Sequence, residues 1–95
     1  MKLAKDEIKA RLAGMKGWKL EDGEIEKTYK FADFKEAMLF VNAIARQAEA
    51  VNHHPEIEIN YNKVEISLST HSEGGVTEKD FALAEQIDNA AHVTS

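Results

Sequence analysis

The chain has 95 residues, 43% hydrophobic and 31% charged, which describes one small soluble globular domain over 1–95 with no room for a second core. It has no cysteine, which excludes disulfides, thiolate zinc sites, iron–sulfur clusters and a cysteine nucleophile, and suits a reducing compartment. Acidic side chains outnumber basic ones 17 to 12, so the net charge of −5 gives no electrostatic reason to coat a phosphate backbone, and direct nucleic-acid binding is not expected.

The start, Met1-Lys2-Leu3-Ala4-Lys5-Asp6-Glu7, is charged and lacks the apolar run of a signal peptide. The longest uncharged apolar stretch, Ala37 to Val41, is far short of the roughly 20 residues of a membrane span. A cytoplasmic protein without membrane contact is expected. Residues 3–14 place Ala4, Ile8 and Leu12 four apart, with Asp6 and Glu7 near the start and Gly14 as a stop, which predicts a helix. Trp18-Lys19-Leu20 reads as a short strand, and Asp22-Gly23 has the chemistry of a hairpin turn. The return strand, Ile25 to Phe31, has Ile25, Tyr29 and Phe31 on one face and Glu26, Thr28 and Lys30 on the other.

Phe34, Ala37, Met38, Val41, Ile44, Ala45 and Ala48 follow a helical period, with Asp33 and Glu36 as a capping box and an end near Ala50. Asn52 begins a loop, and Pro55 biases His54 toward extended backbone. A second hairpin alternates Ile57, Ile59 and Tyr61, turns at Asn62-Lys63, and returns through Val64, Ile66 and Leu68. Gly74-Gly75 breaks the chain, Thr77 and Asp80 offer an N-terminal cap, and Phe81, Ala84, Ile87 and Ala91 mark a last helix. Two hairpins with one apolar face each, and three amphipathic helices, predict an α+β fold: a four-stranded antiparallel sheet covered on one face by three helices, in the order α-β-β-α-β-β-α.

His53, His54 and His71 sit at element ends facing the second hairpin, whereas His92 lies near the C-terminus and reads as solvated. Strand parity points His71 away from the helical core, on the side of Ser67 and Ser69, and neighbouring His53 and His54 point in opposite directions. The His-His pair does not match the helical i, i+4 metal-ligand spacing, and no cysteine supplements it, so no metal is expected. Ser67, Ser69 and Ser72 lack the Gly-x-Ser-x-Gly elbow of a hydrolase. Glu56 and Glu58, two apart on a strand, read as a solvated face.

The pattern Glu49-x3-His53-His54-Pro55-x5-Tyr61-x9-His71-x8-Asp80 resembles the signature of the pterin-4a-carbinolamine dehydratases, also known as dimerisation cofactors of a homeodomain transcription factor. Gly17-Trp18, Tyr61-Asn62-Lys63-Val64 and Leu68-Ser69-Thr70-His71 fit the same family. The resemblance implies the same α+β fold and the dehydration of 4a-hydroxytetrahydropterin to quinonoid dihydropterin, recycling the pterin after an aromatic amino acid hydroxylase has used it. It implies a catalytic set of His53, His54, His71 and Asp80, and substrate-binding positions Glu49, Pro55, Ser69 and Thr70.

By that analogy His53 and His71 transfer protons and His54 positions the substrate. Glu49 orients an imidazole, Asp80 orients His71 or caps at Thr77, and Tyr61 packs. Imidazole can hold or release a proton near neutral pH, so it serves as acid or base without a metal or redox cofactor, the pterin being the substrate. A homodimer or homotetramer is expected, since the fold leaves sheet edges exposed and family members associate. The competing function is a non-catalytic dimerisation or transcriptional co-factor, against which the intact histidine set argues.

Overall fold

A computed structural model describes residues 1–94. The elements are α1 (Lys5–Leu12), β1 (Lys19–Glu21), β2 (Glu24–Lys30), α2 (Phe34–Val51), β3 (Glu56–Asn60), β4 (Lys63–Leu68) and α3 (Glu78–Thr94), with a 3-10 turn over His71–Glu73. The four strands form one antiparallel sheet in the order β1-β2-β4-β3, as the alternation of both hairpins predicts.

Each hairpin is closed by a two-residue loop. Asp22 and Gly23 both have positive φ (49° and 78°), the twist that a tight antiparallel turn requires. The second loop is Tyr61-Asn62 rather than the expected Asn62-Lys63. Asn60 pairs with Lys63, and Tyr61 leaves the strand in the left-handed region (φ 53°) with its ring exposed. The reason is Asn62, which is fixed to the far end of β2. Its side-chain amide donates to the Phe31 carbonyl at 2.9 Å, and its own carbonyl accepts the Phe31 N–H at 2.8 Å.

The helices cover one face of the sheet. Ile25, Tyr29, Val64, Ile66 and Leu68 point from the central strands into a core completed by Phe40, Ile44, Phe81, Ala84 and Ile87. The buried stripe of α2 is Ala37, Phe40, Ile44 and Ala48, while Phe34 and Ala45 lie outward. Phe40 therefore takes the central place, its ring 4.8 Å from Tyr29 and 4.9 Å from Phe31 between centroids. Its complete burial contributes roughly 1.5–3 kcal/mol.

One charged side chain shares the inner face. Lys27 has the parity of Ile25 and Tyr29 and reaches Asp88 of α3 at 2.8 Å. Asp88 also accepts from Trp18 Nε1 at 2.9 Å and from the Tyr29 hydroxyl. Burial first, and then the bond to Asp88, pushes the Tyr29 phenol well above its ordinary range. The outer face carries Glu24, Glu26, Glu56, Glu58 and Glu65 on neighbouring strands.

Candidate active site

Strand register brings the expected site residues to one end of the sheet. Ile25 pairs with Leu68, and Glu56 pairs with Ser67, so the starts of β2 and β3 meet the finish of β4. The segments that carry the histidines leave from this end.

The end of α2 places His53. Asn52 takes a left-handed conformation (φ 51°, ψ 46°), which asparagine tolerates better than most residues. Its N–H bonds the Glu49 carbonyl at 3.3 Å, and the His53 N–H bonds the Ala48 carbonyl at 3.1 Å. These are the two bonds of a Schellman motif, and they reverse the chain so that His53 faces α3. The imidazole is 12% exposed, with Nε2 2.6 Å from Asp80 Oδ1.

Asp80 stands in the first turn of α3 and is completely buried. Its Oδ2 accepts from the Thr70 hydroxyl at 2.8 Å and from the Thr77 N–H at 2.9 Å. A carboxylate only accepts, so His53 Nε2 carries the shared hydrogen and Nδ1 of the neutral ring keeps its lone pair. This differs from the expectation that Asp80 orients His71. The capping half of that expectation is realised, and the second oxygen goes to His53 because the Schellman turn delivers that ring.

His54 has a different partner and is half-exposed; its Nε2 lies 2.5 Å from Glu49 Oε2. Glu49 thus holds the histidine five residues on, not His53, which the helix reversal has carried across to α3. Pro55 follows, half-buried, at the entry to β3.

His71 begins the 3-10 turn, with an exposed ring that makes no hydrogen bond among the described residues. Beside it is Glu24, which accepts from the Ser69 hydroxyl at 3.4 Å. Burial, and then the neighbouring Glu56, raises the Glu24 carboxyl above its usual range, with His71 acting in the opposite sense. Thr70 links the two histidine environments, its side chain bonding the carboxylate that holds His53 while the next residue is His71. Its hydroxyl is turned inward, and its N–H and carbonyl both bond Gly75. The Thr70 hydroxyl thus bonds Asp80. Tyr61 stands at the opposite end of β4, outside the site.

A cavity of about 170 Å³ adjoins His53, walled by Val51, Ala82 and Leu83 with Lys79 and Gln86 at its polar margin. A larger groove of about 700 Å³ lies apart, between α1 and the Gly74-Gly75 segment, and contains none of the histidines. Among the described residues no group of three or more His, Cys, Asp or Glu converges as a metal-ligand set, and no helix is long and apolar enough to cross a membrane.

The family model for pterin 4 alpha carbinolamine dehydratase matches residues 1–90. The chain belongs to the pterin 4 alpha carbinolamine dehydratase family. A relative from Herpetosiphon aurantiacus, provisionally named a pterin-4-alpha-carbinolamine dehydratase, is 56% identical over 86 residues and 90% of each chain. One from Sulfolobus acidocaldarius with the same provisional name is 50% identical over 88 residues, covering 93% of this chain and 97% of its own. The crystal structure of a transcriptional coactivator/pterin dehydratase from Brucella melitensis superimposes with a TM-score of 0.92 at 38% identity, covering 96% of this chain and 99% of that one. A pterin dehydratase-like RuBisCO assembly factor of the alpha-carboxysome shares the fold at a TM-score of 0.65 and 24% identity, covering 78% of this chain and 86% of that one.

Two residues of this cluster escape a reading of the sequence. Glu24 follows a turn and looks like any solvated strand residue until register sets it beside Ser69. Thr77 reads as a helix cap, which it is, since its hydroxyl accepts the Lys79 N–H at 3.2 Å. Its second contact, 2.7 Å to the Thr70 hydroxyl, depends on the Thr70–Gly75 bridge folding the chain back.

Proposed function

We propose that the chain dehydrates 4a-hydroxytetrahydropterin to quinonoid dihydropterin and water by histidine acid–base chemistry. The observation that carries the reading is His53, held by a buried carboxylate through Nε2 so that Nδ1 is left to accept a proton. The substrate is a hemiaminal, with a hydroxyl on carbon 4a beside N5. His53 Nδ1 takes the N5 proton, the N5 electron pair forms the C4a=N5 double bond, and the C4a–O bond breaks. His71 gives its proton to the departing hydroxyl, which leaves as water.

The buried Asp80 favours His53 as the base, because it stabilises the imidazolium formed. The exposed ring of His71 exchanges protons with solvent, which suits the acid. His54, paired with Glu49, serves as the positioning group. The step is redox-neutral, with one imidazole accepting a proton and another giving one, so this scheme uses the pterin as substrate and calls on no metal or electron carrier. Such catalysis contributes roughly 10²–10⁴-fold. The reaction that supplies the substrate is one that hydroxylates a tetrahydropterin at C4a, as an aromatic amino acid hydroxylase does.

We also propose that the protein self-associates as a dimer or tetramer. β3 is an edge strand whose Ile59, directed to the apolar face, is 40% exposed. Sedimentation equilibrium should give a mass at least twice 10.6 kDa.

The decisive experiment is stopped-flow dehydration of 4a-hydroxytetrahydropterin generated in place, followed with and without the protein. Acceleration is expected, and its loss in His71→Ala with the circular dichroism spectrum unchanged. Absence of acceleration by the folded wild type would overturn the enzymatic reading in favour of a dimerisation or transcriptional co-factor.

A further inference from the structure

We propose that Thr77 is a positioning residue for this dehydration, acting through Thr70 and Asp80 to fix the protonation pattern of His53; the inference rests on the enzymatic reading above. The direction of every hydrogen in the chain follows from acceptor chemistry. Asp80 only accepts, so the Thr70 hydroxyl spends its single proton on Oδ2, 2.8 Å away. The 2.7 Å contact between Thr70 and Thr77 hydroxyls then has one possible donor, Thr77. Thr77 in turn accepts the N–H of Lys79 in the first turn of α3. A one-way relay runs from a helix N-terminal amide through two hydroxyls to the carboxylate that receives His53 Nε2–H.

Burial makes this arrangement consequential. Thr70, Thr77 and Asp80 are 4%, 5% and 0% exposed, so the relay is largely shielded from solvent. With Oδ2 occupied by Thr70 and by the Thr77 N–H, Oδ1 is the oxygen left to His53. Removing the Thr77 hydroxyl frees Thr70 to rotate. Asp80 can then pivot, and the His53 ring loses the constraint that reserves Nδ1 for the substrate.

The test compares Thr77→Val with Thr77→Ser in protein carrying ring-15N histidine, with His53 assigned through His53→Gln. In the wild type, without substrate, the signals of the neutral His53 ring should show Nε2 protonated and Nδ1 bare. Thr77→Val should move both signals toward tautomer averaging and lower kcat by roughly 3- to 10-fold with KM little changed, the size of one lost hydrogen bond. Thr77→Ser should restore both. Thr70→Val breaks the relay while sparing the helix cap, and should give the Thr77→Val signature if that variant does not fold. Asp88→Asn, which loosens the fold elsewhere, should lower Tm and leave the His53 signals alone.

Wild-type His53 signals and kcat in folded Thr77→Val or Thr70→Val would overturn the role of the relay while leaving the dehydratase reading standing. A wild-type protein with the fixed tautomer but no dehydratase activity would overturn that reading, and with it the catalytic purpose given to Thr77.

Discussion

Replacing Asp80 by Asn changes one atom and tests the site in two independent ways. Three donors converge on the carboxylate: the Thr70 hydroxyl at 2.8 Å, the Thr77 N–H at 2.9 Å and His53 Nε2 at 2.6 Å. An asparagine has one acceptor oxygen. If that oxygen keeps Thr70 and Thr77, each bond falls from charge-assisted to neutral strength, about 1 kcal/mol apiece. The amide NH2 then faces His53 Nε2, donor against donor. The ring must invert its tautomer to accept or lose the bond, the latter adding about 2 kcal/mol.

Unfolding free energy should therefore fall by roughly 2–4 kcal/mol, a loss that a domain of ordinary stability survives at 25 °C. Inversion protonates Nδ1, the nitrogen that must receive the N5 proton, so kcat should fall by roughly 10²–10⁴-fold. Urea unfolding measures the first quantity, and stopped-flow dehydration at a temperature where circular dichroism shows a folded protein measures the second. A folded Asp80→Asn protein with wild-type kcat would refute the assignment of His53 Nδ1 as the base.

Asp88→Ala strands the donors of Trp18, Lys27 and Tyr29 and should lower unfolding free energy by roughly 2–4 kcal/mol in urea titrations, with kcat of the folded variant unchanged. The Tyr29 phenol, raised in the folded state, adds stability below its ordinary value near 10 and loses it as pH rises past that point. Tyr29→Phe should therefore narrow the loss of stability between about pH 9 and 11. Glu26 is raised by burial and then by Glu65, so it favours the folded state only at low pH and opposes it as pH climbs through the folded value. Glu26→Gln should stabilise by a few tenths to about 1 kcal/mol at pH 7, a gain that vanishes near pH 4 and that parallel urea titrations would reveal.

Local chemistry was readable in the sequence. Asp22-Gly23 specifies its turn through backbone twist, Asp33 caps α2 by accepting the Glu36 N–H at 2.9 Å, and strand alternation orders the sheet faces. The histidine spacing leads to the family. What escaped was the identity of partners distant in sequence. Lys27 interrupts an apolar face and looks like an irregularity until α3 brings Asp88 to it, 61 residues on. Phe34 and Phe40 both satisfy a loose helical period, and only the position of the sheet selects Phe40. Asp80 shows a local cap in the sequence, whereas the claim of His53 on its other oxygen depends on a left-handed Asn52.

The Asp88 cluster also bears on how the chain acquires its shape. Trp18, Lys27 and Tyr29 belong to the first hairpin region, yet their shared acceptor arrives 70, 61 and 59 residues later. A partly synthesised chain would have to bury an ammonium, an indole N–H and a phenol with nothing to receive them, which burial does not tolerate. Full packing of the first hairpin is therefore tied to docking of the last helix. Pulse-labelling hydrogen exchange should show the first hairpin gaining protection together with the C-terminal helix, not before it.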